Sequence, residues 1–432
     1  MNTLTTRPLV GLLMCASLSS YAQDSYTQNN TDVENTSMLS LRQAYDLTLN
    51  NNPELAAYPF YLRQADAEKL QAGLGPQTRF SLQLENAFGS GDKQDLDNAE
   101  ITLSLSQTFE LGGKKQSRLD HADARQQQTQ AEYNLARLDV LAETSRRYYQ
   151  LLFITAQQKQ LSARQQKEQA ALNIIKRRAK AGAVTDADVS NMALRLANTQ
   201  QQLQQNQAAY QQGKMDLAAM WLADAEFSSV NGDLNTLPQL PNETQLKQLI
   251  EQQLHTLPDY RVQLATQRLA DQQLRLEQTK GRSDLTLGLG IRQFENSGDQ
   301  AFSLSASMPL SFSNPNRGRI AAAQANQQLS LQQSEQKRVQ LTLTLQRLHQ
   351  SLRQDIKLGQ NIEQQLLPLA QQFLSDTQKA YRQGRYSLLQ WIDAQHQVFG
   401  LQQQLIQTRL NIHLQVLEFE RVLGQPIVSS QS

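Results

Sequence analysis

Leu41-Arg42-Gln43 through Asn52-Pro53 recurs as Leu246-Lys247-Gln248 through Leu257-Pro258, 205 residues further along the chain. The same step carries Arg63-Gln64-Ala65-Asp66 onto Arg268-Leu269-Ala270-Asp271. At an offset of 202, Ala181-Gly182-Ala183-Val184-Thr185 matches Gln383-Gly384-Arg385-Tyr386-Ser387, and Gln201-Gln202-Leu203 matches Gln403-Gln404-Leu405. A chance alignment of glutamine-rich helices would not keep proline and glycine punctuation in place, so the chain reads as a duplication.

Each half has the same order of elements. A helix comes first, about Ser40 to Gln71 and Glu243 to Lys280. Two alternating segments follow, predicting strands over 77–88 and 100–109, then 283–294 and 301–310. Phe80, Leu82 and Leu84 point one way while Arg79, Ser81, Gln83 and Glu85 point the other. Ile101, Leu103 and Leu105 repeat this alternation, as do Leu285, Leu287, Leu289 and Ile291, then Phe302, Leu304 and Ala306. Polar turns join each pair, from Gly89 to Asp92 and from Glu295 to Asp299. Such strands suit a transmembrane barrel and equally a soluble hairpin on a helix. Four strands cannot close a barrel, and lipid tolerates no open edge; if they meet lipid, several copies share one barrel, and three copies give twelve strands.

After each hairpin comes a long helical stretch. No proline interrupts Lys114 to Lys180, which at about 1.5 Å per residue approaches about 100 Å. Ala131, Leu135, Leu138, Ala142, Ser145, Tyr149 and Leu152 form a seam; Val189, Leu196, Leu203, Tyr210 and Leu217 form another, seven apart. Leu341, Leu345, Leu348 and Leu352 repeat the step. The remaining faces carry Gln, Asn and Ala, which fits a solvated surface or a hydrated channel wall.

The first residues read as an export signal: Arg7 is the basic region, Pro8 to Leu18 the apolar core, and Ser20-Tyr21-Ala22 the cleavage site before Gln23. A lipid-anchored alternative cuts before Cys15 and requires a small residue where Met14 stands. Cleavage after Ala22 leaves no cysteine, hence no disulfide. The expected divisions are 1–22 signal, 23–39 polar segment, 40–235 first repeat, 236–425 second repeat and 426–432 tail.

With 41 basic and 40 acidic residues in 432, the chain offers no general attraction to nucleic acid. Hydrophobic residues make up 39% and mean hydropathy is −0.56, with no 18-residue apolar run after the N-terminus, so helical membrane spans are excluded. No catalytic constellation is present, and Gly288-x-Gly290 lacks its third glycine. His121, His255, His349, His396 and His413 stand alone, without metal-ligand spacing. Neither enzyme chemistry nor a cofactor is expected.

The two helix-to-helix turns are the informative places. Gly182 and Gly384 suit the left-handed conformation that ends a helix, and Thr185 and Ser387 can cap the next one. Two similar tips per chain make a plain hairpin turn and, in a trimer, a ring of six. Asp186, Asp188 and Asp393 follow the turns, as helix-capping or solvated acids or as an inward ring attracting cations.

Gln107-Thr108-Phe109-Glu110-Leu111-Gly112-Gly113-Lys114-Lys115, Met308-Pro309-Leu310-Ser311-Phe312 with Asn314, Asn316 and Gly318, and Tyr381 to Leu389 with Asp393-Ala394-Gln395 resemble the TolC family of outer-membrane factors, and more closely its CzcC-like heavy-metal-efflux branch. The resemblance implies a mainly α chain with a membrane β-barrel portion. It also implies a homotrimer with a twelve-stranded barrel in outer-membrane lipid and a periplasmic α-helical barrel. The function implied is passive conduction of heavy-metal cations out of the cell. Gly182, Thr185, Gly384 and Ser387 would form tips docking on a periplasmic adaptor, which is coupled to an inner-membrane efflux pump of RND type. Asp188, Tyr381 and Asp393 would constrict a periplasmic aperture, with Gln390 standing where some members carry aspartate and Tyr386 where some carry arginine. The alternatives are a periplasmic adaptor and a TolC-like duct for drugs or secreted polypeptides.

Overall fold

The computed structural model describes residues 38–238, 240–310 and 313–426. The expected signal peptide, most of the polar segment after it and the tail from residue 427 lie outside the described residues, as do Ser311 and Phe312.

The chain runs α1 (Leu41–Asn51), α2 (Pro53–Ala72), β1 (Arg79–Glu85), β2 (Glu100–Phe109), α3 (Lys114–Lys180) and α4 (Asp186–Ala218). It then repeats with α5 (Glu243–Gln253), α6 (Pro258–Lys280), β3 (Leu285–Phe294), β4 (Gln300–Ser307), α7 (Arg317–Asn361), α8 (Leu367–Arg382) and α9 (Leu388–Leu423). With no proline to break it, α3 runs 67 residues, about 100 Å.

The leading helix of each half is broken, where the sequence suggested continuity. Asn52 and Leu257 sit at ψ 127° and ψ 130°, because the ring of the following Pro53 or Pro258 clashes with a helical conformation there. Asn52 turns the break into a cap: its Oδ1 accepts from Glu54 N at 3.0 Å and Leu55 N at 3.2 Å.

The repeat is also aligned differently at its start. Ser40 with Gln43 and Asn242 with Gln245 form equivalent capping boxes, and the buried Ala44 and Thr48 of α1 match Leu246 and Ile250 of α5, so these helices are 202 residues apart. The 205-residue offset begins only at α2 and α6, where Leu55 matches Tyr260 and Ala65 matches Ala270. A single 3₁₀ turn, Leu254–Thr256, makes up the difference. A second asymmetry lies in the long helices: a π turn at Ile362–Leu366 and Pro368 separate α7 from α8, while α3 has no such break.

Apolar seams hold the helices together. Leu341 and Leu345 are buried with Leu257, Phe419 and Val422, so this leucine run is helical, and Leu352 packs with Ile412. A larger core joins α3, the end of α4 and the strap after Trp221, through Leu151, Leu152, Leu217 and Val230. The strap is pinned where Leu39 pairs with Val230 and the Tyr148 hydroxyl reaches the Leu39 and Asn231 carbonyls at 2.8 and 2.6 Å.

The four strands form one antiparallel sheet in the order β1-β2-β3-β4. Register places Phe80 opposite Leu105, Leu105 opposite Leu289 and Leu289 opposite Leu304; the row Leu82, Leu103, Ile291 and Phe302 lies beside it. One face is thus an unbroken apolar band, and no element among the described residues covers it: Phe302 is 89% and Leu304 80% exposed. The other face carries Ser81, Ser104, Gly290 and Ser303 in one row and Gln83, Thr102, Arg292 and Ala301 in the next.

Candidate functional site

At the end of the molecule opposite the sheet, the two hairpins turn in the same way. Gly182 and Gly384 hold φ of 72° and 76°, the left-handed region that closes a helix at low cost only for glycine. An added Cβ would meet nothing within 4 Å at either position. The next helix starts on a capping box in each case. Thr185 Oγ1 accepts from Asp188 N at 3.3 Å, while Asp188 Oδ2 accepts from Thr185 N at 3.0 Å. Ser387 Oγ accepts from Gln390 N at 3.4 Å, and Gln390 Oε1 accepts from Ser387 N at 2.9 Å. The expected left-handed glycines and capping hydroxyls are therefore present, and the duplication is exact in role: aspartate in one repeat does what glutamine does in the other.

The caps limit what the tip acids are free to do. Asp188 is half-buried and spends its carboxylate on the cap. Gln390 is exposed, but its side-chain oxygen is engaged likewise. Asp393, one turn further on, is exposed and, among the described residues, accepts only from Gln397 Nε2 at 3.0 Å, within its own helix. Of the residues the sequence put at the aperture, Asp393 presents the freest charge.

Tyr381 is not at the protomer surface. Its ring is 4% exposed, stacked on Trp391 with centroids 5.1 Å apart and 23° between planes. The Arg178 guanidinium also lies over the ring, 4.6 Å from its centre, and Arg178 Nη1 donates to the Tyr381 carbonyl at 3.2 Å. Ile175, Met192, Leu388 and Ile392 complete an apolar core shared by both tips. Burial follows from shape and chemistry: the flat ring packs on an indole and under a planar cation's charge, both favourable partners for an aromatic ring. The Tyr381 hydroxyl and the Trp391 indole nitrogen are buried without a hydrogen-bond partner among the described residues. Sequence reading missed Arg178, which reaches Tyr381 across the two repeats, and Trp391, which stacks on it within the second repeat.

The sheet supplies the second half of the site, an apolar band of strands seven to ten residues long backed by small polar side chains, with β1 and β4 unpaired at the edges among the described residues. Residues 44–221 and 249–425 match the family model described as outer membrane efflux protein. The chain belongs to the outer membrane efflux protein family. Its relatives include the cobalt-zinc-cadmium resistance protein CzcC of Cupriavidus metallidurans, 21% identical over 90% of both chains. The outer membrane protein VceC of Vibrio cholerae superposes with a TM-score of 0.74 at 20% identity, over 90% of this chain and 96% of that one. CusC, whose structures concern folding and transmembrane channel formation, superposes with a TM-score of 0.76 at 15% identity, over 89% and 92%. The fold is TolC-like, a mainly helical body with a membrane-barrel sheet. The protein is thus a non-enzymatic channel component of the outer membrane, with its helical portion in the periplasm. Membership sets aside the adaptor alternative.

Proposed function

We propose that three copies close a twelve-stranded barrel and conduct heavy-metal cations passively out of the cell. The observation that carries this reading is the sheet: an uncovered apolar face suits lipid, and the two free edges of each copy must pair where no water can satisfy them. Pairing β1 of one copy with β4 of the next satisfies every edge and leaves the polar face on the lumen. The tips then form a ring at the periplasmic end, where a periplasmic adaptor docks and couples the duct to an inner-membrane pump of the RND type. The likeness to the cobalt-zinc-cadmium resistance protein supports metal cations as cargo. The cation is substrate in transit, drawn by exposed carboxylates such as Asp393.

Fractionation with mass measurement of the detergent-extracted species tests the assembly, and export of loaded Zn²⁺, Co²⁺ or Cd²⁺ from cells carrying or lacking the gene tests the cargo. An outer-membrane trimer and slower metal export in the deletion strain are expected. A monomer would overturn the shared barrel, and unchanged export of all three metals would overturn the metal cargo.

A further inference from the structure

The geometry points to a second charge-selective ring at the outer exit of the barrel, built from Glu85, Glu100 and Arg292. This rests on the shared-barrel reading above. Glu85 and Glu100 stand directly opposite each other in the β1–β2 register, a like-charge pairing that is ordinarily destabilising. Arg292 of β3 makes it tenable. Its Nη1 donates to Glu100 Oε2 at 2.9 Å, its Nη2 lies 3.4 Å from Glu85 Oε2, and its Nε donates to Thr102 Oγ1 at 3.0 Å. One guanidinium therefore ties three strands together and neutralises one of the two carboxylates.

Three facts place this cluster in the path of the cargo. Its residues lie on the face opposite Leu82, Leu103 and Ile291, which is the lumen face once the apolar band meets lipid. They sit at the strand ends next to the Asn86–Ala99 and Glu295–Asp299 connections, the end away from the periplasmic helices. The side chains remain accessible, at 39% for Glu85 and 36% for Arg292. Lys93 reaches the Asn86 side-chain oxygen rather than either carboxylate, and Asn86 Nδ2 donates to Glu100 Oε1 at 2.8 Å, orienting that group. Glu85, Glu100 and Arg292 together carry one net negative charge per protomer, and a ring of such clusters favours cations over anions. Arg292 sets the strength: with it the ring attracts without holding, and without it two facing carboxylates offer the oxygen ligands that bind a divalent cation.

The test is the reversal potential of wild-type and E85Q/E100Q trimers in planar bilayers under a KCl gradient, with R292Q alongside. Loss of both carboxylates lowers the cation-to-anion permeability ratio by about twofold or more at 10 mM salt, and the difference shrinks at 100 mM as the screening length falls from about 30 Å to about 10 Å. R292Q raises the ratio and introduces block by Ca²⁺ added from the outer side. Trimer mass after extraction checks that each variant assembles; should E85Q/E100Q fail to assemble, the single E85Q, which leaves the Arg292–Glu100 contact intact, gives the same readout at smaller size. An unchanged ratio in conducting E85Q/E100Q or E85Q trimers overturns the outer ring while leaving the duct intact. A wild-type protein that does not conduct at all overturns the duct reading, and the ring with it.

Discussion

The Arg178 guanidinium carbon lies 4.6 Å from the centre of the Tyr381 ring, and this contact joins the α3–α4 tip to the α8–α9 tip within one protomer. It is reinforced by the Arg178 hydrogen bond to the Tyr381 carbonyl and by the shared core of Ile175, Met192, Trp391 and Ile392. Removing the guanidinium as Arg178→Ala should cost about 1–2 kcal/mol locally. Tyr381→Ala, which empties the stack, should cost about 3–5 kcal/mol. Hydrogen exchange by mass spectrometry reads the outcome: both variants should speed exchange in residues 171–196 and 374–394, with the double variant less than additive. Independent, fully additive effects would show that the two tips are not coupled through this contact.

Much of the architecture was legible because its signals are local. Period-two alternation fixes which side chains share a strand face, so the apolar band of Phe80, Leu105, Leu289 and Leu304 follows from sequence and register alone. The tip turns were legible because glycine settles most easily at positive φ and a short polar side chain such as Thr185 or Ser387 caps the following helix. The 3₁₀ turn at Leu254–Thr256 carries no such signal, and it hid the true 202-residue relation of α1 to α5. The Arg178–Tyr381 stack was illegible for another reason. Its partners are 203 residues apart, and helical periodicity says which face is buried without saying against what.

The tip acids should separate by role. Asp393→Asn removes an exposed carboxylate with no structural bond beyond its own helix, so it should lower cation preference at the periplasmic end and leave thermal stability within about 0.5 kcal/mol. Asp188→Ala should cost about 0.5–2 kcal/mol at the start of α4, because the Thr185 N–H loses its partner. Melting of the extracted protein together with bilayer reversal potentials distinguishes the two. Equal effects of both changes on selectivity, with no stability loss for Asp188→Ala, would mean that the cap is not the principal task of Asp188.

At the tips, Gly182→Val and Gly384→Val meet open space but force a β-branched residue into the left-handed region, at roughly 1–2 kcal/mol each. The long helices and the sheet are remote, so trimers should form normally while crosslinking to a co-expressed periplasmic adaptor falls. Full adaptor crosslinking by both variants would remove the tips from the docking surface.

His413 predicts a pH response in the helical body. Its ring stacks on Tyr149 at 4.9 Å and its Nε2 lies 3.4 Å from the Leu234 carbonyl. Burial lowers the His413 pKa, an effect that the Leu234 carbonyl and Asp233 oppose in part and Arg409 assists. The folded state therefore takes up the proton less readily than the unfolded chain, whose histidine titrates near 6.5. The stabilising contribution is complete above about pH 6.5 and is lost as the pH falls below that value. Melting of the extracted protein between pH 8 and pH 5 should show a decline that His413→Phe reduces; an identical decline in the variant would assign it to other groups.

The sheet offers the sharpest contrast, because neighbouring residues of β4 face opposite environments. Phe302 pairs with Ile291 within the apolar band and is 89% exposed on the protomer, while Ser303 pairs with Gly290 on the polar face. A lysine at 302 would place an ammonium in hydrocarbon, costing about 2–4 kcal/mol near the bilayer midplane and less towards the interface. A lysine at 303 would point into a watery lumen, where its charge stays solvated. Phe302→Lys should therefore lower the yield of outer-membrane trimer, and Ser303→Lys should assemble normally while shifting ion preference towards anions. The strand backbone, its hydrogen bonds and the introduced side chain are the same in both cases, so the difference isolates the environment of each face. Equal assembly of the two variants would mean that the apolar band does not face lipid.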